Sequence, residues 1–375
     1  MQHEVVKKFL HSVRIVFVQS EIFCLVNFNH RESYFRLSKA KSFCTFVAAL
    51  VYCSVTFFAL SELLTDLATS ILLKVSSLLI GFCASIYVGT VWINTSINGT
   101  KFIEFINKLI EFDVKLQNVS LIINYENQRT RSRIHLFVRY VFVTSYLLFD
   151  YFVQRNQEYK YYQILSHLSG IFFTVFNVAQ CYLTTELVLM LQTRFVILNK
   201  QLTKITVKNF ATKTQSAVLG KICTLHHHLS KLVTRFNEIF GLGLLLMFAV
   251  SFLIITQVIF VICVLVQSEK IVWLHLVYIS FLGIICAADV FYICHVCYAT
   301  IQEVSKSGEL IHKIETNEHE IIDKIEMFSL QILNERAEFN AAGFFPIDYT
   351  LVFSFVGAVT TYIIILLQLS GSLAV

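Results

Sequence analysis

Proline occurs once in the 375 residues, at Pro346. With only 12 glycines beside it, long stretches contain nothing that breaks a helix. Charge is scarce too: Asp, Glu, Lys and Arg make up 15% of the chain, against 56% hydrophobic residues. Soluble domains carry about a quarter charged residues. The shortage excludes a soluble globular domain of this length, and the missing breakers favour a helical membrane bundle over a barrel. The 10 cysteines form no disulfide framework. Cys44, Cys53, Cys83, Cys181, Cys263 and Cys286 fall inside apolar runs, where a thiol packs as a small hydrophobe. No Gly-rich phosphate loop, serine elbow or HExxH is present, so neither an enzyme nor a cofactor is expected. His226-His227-His228 reads as a helix surface, because consecutive residues on a helix point in different directions. Cys294 and Cys297 flank an imidazole, but no second pair follows, so packing is preferred to zinc.

What is present is apolar length. Seven runs, at 43–64, 71–93, 135–153, 164–189, 240–266, 273–297 and 349–370, are each near the length of a membrane helix. The basic residues report topology. Of the 30 Lys and Arg, 25 fall in the N-terminal segment and in the loops after the second, fourth and sixth runs. Only Arg155, Lys160 and Lys270 lie in the alternate loops. By the positive-inside rule the N-terminus and long loops are cytoplasmic, and the C-terminus is extracellular. The net charge of +5 is therefore no sign of nucleic-acid binding. Residues 1–42 are basic and mildly amphipathic and lack the cleavage site of a secretory signal.

The long loops carry helical stripes. Val218, Ile222, Leu225, Leu229, Leu232, Phe236 and Ile239 recur at alternating steps of four and three. Ile311, Ile314, Ile321, Ile325, Phe328 and Ile332 repeat the pattern, broken only by Glu318. Two such helices should pack on each other. Phe102, Phe105, Ile106, Leu109 and Ile110 predict a shorter helix after the second span. The expected class is all-α: seven transmembrane helices with cytoplasmic extensions forming an anchor bundle. Its parts are an N-terminal segment at 1–42, six spans and their extensions at 43–297, an anchor helix at 298–347, and a last transmembrane helix at 348–375. Gly343 and Pro346 are expected to end the anchor helix, and Asp348 suits the N-terminus of the last one.

That last helix is not plain grease. Thr361, Ile365, Gln368, Leu369 and Ser372 share one mixed stripe, which implies contact with protein or water. Thr361-Tyr362-Ile363-Ile364-Ile365-Leu366-Leu367-Gln368-Leu369 resembles the TYhhhhhQF signature of insect gustatory receptors. Leu369 stands where most of them carry Phe; the related insect olfactory co-receptor also has Leu there. The resemblance implies a multi-pass plasma-membrane protein of gustatory neurons. Four subunits, alike or mixed, would surround one cation pore that tastants gate. It also implies that Ile365 and Leu369 form the constriction, with Gln368 beside them and Thr361 on the same stripe. Ile363 follows the motif Tyr362 where sugar-receptor relatives tend to carry an acid, which tilts the expectation to bitter-type compounds.

Aromatic and polar residues cluster in the outer halves of spans three to six, at Tyr146, Phe149, Tyr151, His167, Phe172, Phe173, Gln257, Trp273, His275 and Tyr278. A ligand pocket is expected from part of this set, with Tyr146, Phe149, Asp150, Phe172, Trp273 and Tyr278 as its candidates beside Lys74 of span two. Belt or core packing is the competing reading for each aromatic, and snorkelling for Lys74. Lys74 could instead pair with Asp150; Asp289, deeper in span six, is expected to pair with Arg139 or His295. The partners implied are a small-molecule tastant, membrane lipid and further receptor subunits. Two other seven-span classes fit less well. A G-protein-coupled receptor needs its N-terminus outside, Asp-Arg-Tyr after span three and Asn-Pro-x-x-Tyr in span seven. A secondary transporter shows internal repeats and broken mid-membrane helices.

Three sequons, at Asn94, Asn98 and Asn118, lie in the loop that the charges place in the cytoplasm. None is expected to carry glycan. A glycosidase-sensitive mobility shift mapping to any of them would reverse the assigned topology.

Overall fold

A computed structural model describes residues 2–31, 34–65, 71–155, 161–207, 213–267, 273–335 and 337–373. In chain order they form α1 (Gln2–Ile22), β1 (Phe28–Arg31), β2 (Tyr34–Leu37), α2 (Lys39–Thr65), α3 (Ile71–Ile97), α4 (Gly99–Gln117), α5 (Tyr125–Gln154), α6 (Tyr161–Val207), α7 (Lys213–Gln267), α8 (Trp273–Ile311), α9 (His319–Asn334) and α10 (Tyr349–Leu373). Seven of these helices, α2, α3, α5, α6, α7, α8 and α10, are long and apolar enough to cross a membrane. The expected helical architecture is present. Its one addition among the described residues is the antiparallel β1–β2 hairpin, which pairs Phe28 with Leu37.

Three helices outgrow the membrane. At 47 residues α6, at 55 residues α7 and at 39 residues α8 far exceed the ~20 that a bilayer requires. Their overhangs meet α1, α4 and α9 at one end, the broad end; short connections close the other. The α7 stripe is buried as the spacing predicts, from Ile222 through Leu225, Leu229, Leu232 and Phe236 to Ile239. Phe102, Phe105, Ile106, Leu109 and Ile110 of α4 are buried as well. The N-terminal segment is more than a lead-in. Val5, Phe9, Val13, Val16 and Phe17 give α1 an apolar face at steps of four and three, and that face is core.

The anchor segment differs from the continuous helix expected over 298–347. α8 ends at Ile311, and α9 starts only at His319, with Glu318 as its N-cap residue. The acidic interruption of the stripe is thus a helix boundary. α9 also stops at Asn334, short of Gly343 and Pro346. Between α9 and α10 the chain folds into a tight loop clipped to α7. Asn237 donates to Glu338 O at 2.8 Å and accepts from Asn340 N at 3.2 Å. Phe339 is buried edge-on against Phe236. Gly343 turns the loop with φ +79°. Asp348 then caps α10, its Oδ1 accepting from Thr350 N at 2.8 Å.

One buried ion pair locks the broad end. Arg194 counts as a loop charge by sequence, yet it lies inside α6 and is fully buried. Its Nε donates to Asp113 Oδ1 at 2.8 Å and its Nη2 to Oδ2 at 2.6 Å. A third donor goes to Met190 O, and Tyr125 donates its hydroxyl to Asp113 Oδ2 at 2.9 Å. Burial pushes the Asp113 carboxyl above its ordinary range, and the adjacent guanidinium pulls it back. The pair joins α4, the start of α5, and α6, with Phe9 of α1 against the guanidinium. Removing one partner strands a buried charge, at a cost of about 3–5 kcal/mol. Asp113→Ala should therefore lower the thermal midpoint of the detergent-purified protein far more than Tyr125→Phe, which loses about 1 kcal/mol. Equal, small shifts for both would show that the pair does not hold the broad end.

Candidate functional site

Toward the short-loop end, a cavity of about 360 Å³ opens between six helices. Tyr52 and Thr56 come from α2, Ser77 and Gly81 from α3, and Tyr146 from α5. His167, Gly170, Phe173 and Thr174 come from α6, Ile254 and Gln257 from α7, and Tyr278 from α8. Each position follows from helical register: on α6, His167, Gly170 and Thr174 fall at steps of three and four on one face. The cavity is mostly carbon, with a few fixed polar groups. Tyr146 and Tyr278 stack at 5.3 Å, with their hydroxyls 3.1 Å apart. Gln257 donates to Ser77 Oγ at 3.1 Å, which leaves its carbonyl oxygen as an acceptor. Gly170 leaves room, since a Cβ added there would meet nothing within 4 Å.

Of the residues singled out by sequence, Tyr146, His167, Phe173, Gln257 and Tyr278 line this cavity. Asp150 is buried one layer behind, and His167 Nε2 lies 2.8 Å from its Oδ2. Its partner in the described structure is thus a histidine of the next helix. The Lys74 side chain lies outside the described residues. Phe149 packs on Phe281, and Phe172 packs against Tyr52 and Trp92. Trp273 is 69% exposed at the start of α8. None of these three aromatics forms the cavity wall. Tyr52, Ser77, Gly170 and Thr174 escape a reading by sequence, because small or hydroxylated residues in an apolar helix look like ordinary packing. Gly170 alone carries a signal, as a helix-weakening residue kept inside a span.

The second candidate surface is α10. Only 6% of its apolar stretch is buried within the chain. Val359 is its buried contact residue, and Phe355 and Tyr362 flank it on the same stripe. Phe252 of α7 sits edge-on to both rings, 5.5 Å from each. Counted at 100° per residue from the middle of that stripe, Leu369 lies roughly 50° away, Ile365 roughly 90°, Thr361 roughly 130° and Gln368 roughly 150°, and all four are exposed. Ile365 and Leu369 are 43% and 46% exposed. The same α7 helix thus presents Ile254 and Gln257 to the cavity and Phe252 to α10.

Other buried charges are paired. Arg139 binds Asp289, one of the two partners expected for it, and also reaches Cys181 Sγ. Glu186, wholly buried, accepts from Ser132 Oγ at 2.6 Å and lies 2.7 Å from His135 Nδ1. His295 bonds instead to the Tyr349 hydroxyl at the start of α10. The histidine run splits three ways: His226 is buried between Phe195 and Phe328, His227 meets Glu335, and His228 lines a surface groove. Among the described residues no cluster of His, Cys, Asp and Glu could hold a metal ion.

Comparison with known proteins accords with this geometry. The backbone superposes on the insect olfactory receptor OR5 from Machilis hrabei, solved in complex with eugenol, with a TM-score of 0.72 at 11% sequence identity; the match covers 98% of this chain and 100% of that one. By sequence the chain is 28% identical to gustatory receptor 28b of Drosophila melanogaster over 169 residues, 43% of this chain and 36% of that protein. It is 26% identical to the gustatory receptor for bitter taste 66a of the same fly over 161 residues, 40% of this chain and 30% of that protein. The matched stretches thus span about a third of those relatives. The model of the family described as 7tm chemosensory receptor matches residues 13–370. The chain is a multi-pass membrane chemoreceptor and belongs to the 7tm chemosensory receptor family.

Proposed function

We propose that this receptor is a subunit of a ligand-gated, non-selective cation channel for non-volatile tastants of bitter type. The observation that carries the reading is the nearly naked last helix. A transmembrane helix bearing Thr361 and Gln368 on uncovered surface needs a polar or protein partner. Four copies, alike or mixed with other receptor subunits, meeting around an axis would supply it. The Thr361, Ile365, Gln368 and Leu369 stripe would then line the conduit, with rings of Ile365 and Leu369 closing it by dewetting. A neutral ring of Gln368 amides discriminates weakly among cations. In this reading the N-terminus and broad end are cytoplasmic and anchor the assembly at the plasma membrane.

The ligand enters the cavity between α2, α3, α5, α6, α7 and α8. Its aromatic walls suit a small ring-bearing compound, with Tyr146, Tyr278, His167 and Gln257 as orienting groups. The open state is favoured only to the extent that the ligand binds it more tightly. The link to the pore helix is α7: movement at Ile254 and Gln257 is passed through Phe252 to Phe355 and Tyr362. The bitter-type preference rests on Ile363 after the motif tyrosine and on the likeness to the relative named for bitter taste.

Expression alone in a cell line, with a compound panel and a calcium readout, tests the function directly. Two substitution sets divide the mechanism. Ile365→Ala and Leu369→Ala should each raise resting current several-fold without ligand; two variants silent at rest and normally gated would refute the pore lining. Gly170→Leu fills open space in the cavity and favours the helix. It should shift the half-maximal ligand concentration at least about tenfold, a loss of ~1.4 kcal/mol, with unchanged surface expression and resting current. An unchanged dose–response curve would move the ligand elsewhere.

A further inference from the structure

On the flank of the bundle, away from the cavity and away from most of α10, a crevice of about 350 Å³ runs between α5 and α8. Val138 and Phe142 form one wall, Ile284, Ala288 and Phe291 the other, and Val178 of α6 lies at its floor. Beneath it the Arg139–Asp289 pair is turned inward, so the trough presents almost only carbon. The rim is continuous with a band of exposed apolar side chains, among them Phe137 at 71% and Ile284 at 54%. In a membrane-spanning helix that band faces acyl chains. An apolar trough of this kind stays dry, so water does not fill it.

The two ends of the crevice differ in chemistry. Toward the broad end it finishes at His135 and Tyr292, 2.9 Å apart through His135 Nε2 and the tyrosine hydroxyl. One turn further along α5 is Arg131. Arg131 Nη1 donates to Thr193 Oγ1 at 3.3 Å, but Nε and Nη2 are buried and have no partner among the described residues. A guanidinium left so is costly, and an anionic oxygen in reach relieves it. The residue as a whole is only half-buried, and it shares the α5 face of His135, Val138 and Phe142. From Arg131 to Phe142 is eleven residues of helix, about 16 Å. That is roughly one leaflet of a ~30 Å apolar core.

From this arrangement we propose that the α5–α8 crevice is a phospholipid site, with one acyl chain in the trough and the headgroup phosphate on Arg131. A polar end joined to an apolar groove one leaflet long fits an amphiphile better than a tastant or a second protein copy, neither of which supplies both parts. The position carries a consequence. Phe291 lines the trough and also packs against Tyr349, 6.0 Å away, where α10 begins. The bound chain therefore braces the start of the last helix.

The test uses the full chain reconstituted in vesicles doped with phosphatidylserine or phosphatidylcholine bearing a diazirine on one acyl chain, with adducts mapped by peptide mass spectrometry. Adducts at Val138, Phe142, Ile284 and Ala288 should exceed several-fold those at Phe57, which is 73% exposed on α2. Ala288→Trp should abolish that excess and leave labelling at Phe57 unchanged; Ala288→Leu, a milder filling, should reduce it. Arg131→Gln should lower crevice labelling at low probe fraction. Labelling no greater than at Phe57, or a crevice protected from the probe as by another protein copy, overturns the site. Crevice labelling indifferent to Arg131→Gln overturns the assignment of the headgroup. An effect with phosphatidylserine alone, absent with phosphatidylcholine, would mean recognition of the serine headgroup rather than the shared phosphate and would likewise overturn it.

Discussion

A helix in lipid satisfies its own backbone and so can stand with little else touching it. α10 exploits this to an unusual degree: Tyr349 meets α8 at its base, Phe355, Val359 and Tyr362 give it one packed stripe, and most of its apolar stretch is exposed within the chain. In water such a helix would collapse onto the bundle, because the exposed Phe353, Val356, Ile364 and Leu369 would drive it there. In a bilayer no such force acts between apolar faces, and only shape and polar groups decide where the helix rests. Its attachment is correspondingly local. The loop before it is clipped to α7 through Asn237, and Asp348 caps its first turn. A helix fixed at its base and loosely held above can tilt without breaking a core.

The broad end must then be stiff, and its chemistry is opposite in kind. There Asp113 and Arg194 are fully buried, doubly hydrogen-bonded and tied to Tyr125 and Met190. Ion pairs of this sort contribute little net stability over apolar packing, yet breaking one is severe. They specify which helices meet, here α4, α5 and α6. Glu186 with Ser132 and His135, and Arg139 with Asp289, continue the same logic higher along α5, α6 and α8. α5 is thus pinned by charge along its length, whereas the contacts described between α7 and α10 are apolar, with the edge of Phe252 against Phe355 and Tyr362. Rings can slide where a paired charge cannot.

That contrast explains what was legible in the sequence. Span number, the α4 and α7 stripes and the capping role of Asp348 are local properties of period and residue type, and they read directly. The Arg139–Asp289 pair was also legible, because lipid leaves each of two intramembrane charges few alternatives. Arg194 was not: a charge near the end of an apolar run reads as topology, and only the 47-residue extent of α6 carries it into the interior. The break at Glu318 was visible as a flaw in a stripe but not as a helix end, since no proline or glycine marks it. The cavity was half legible. Tyr146 and Tyr278 stand out as outer aromatics, but Phe149, Phe172 and Trp273 share that composition and point elsewhere. Facing is set by the roll of each helix against its neighbours, which no single helix encodes.

α8 connects these regions. Tyr278 looks into the cavity, Asp289 is held by Arg139, and Phe291 and His295 meet Tyr349 at the foot of α10. The Arg139–Asp289 pair thus stands on α8 between the cavity residue Tyr278 and the contacts with α10. α7 has no comparable buried charge between Gln257 and Phe252, so its route to the last helix is shorter and more compliant. The two helices thus meet α10 at different heights: α8 at its base through Phe291 and His295, and α7 further along through Phe252.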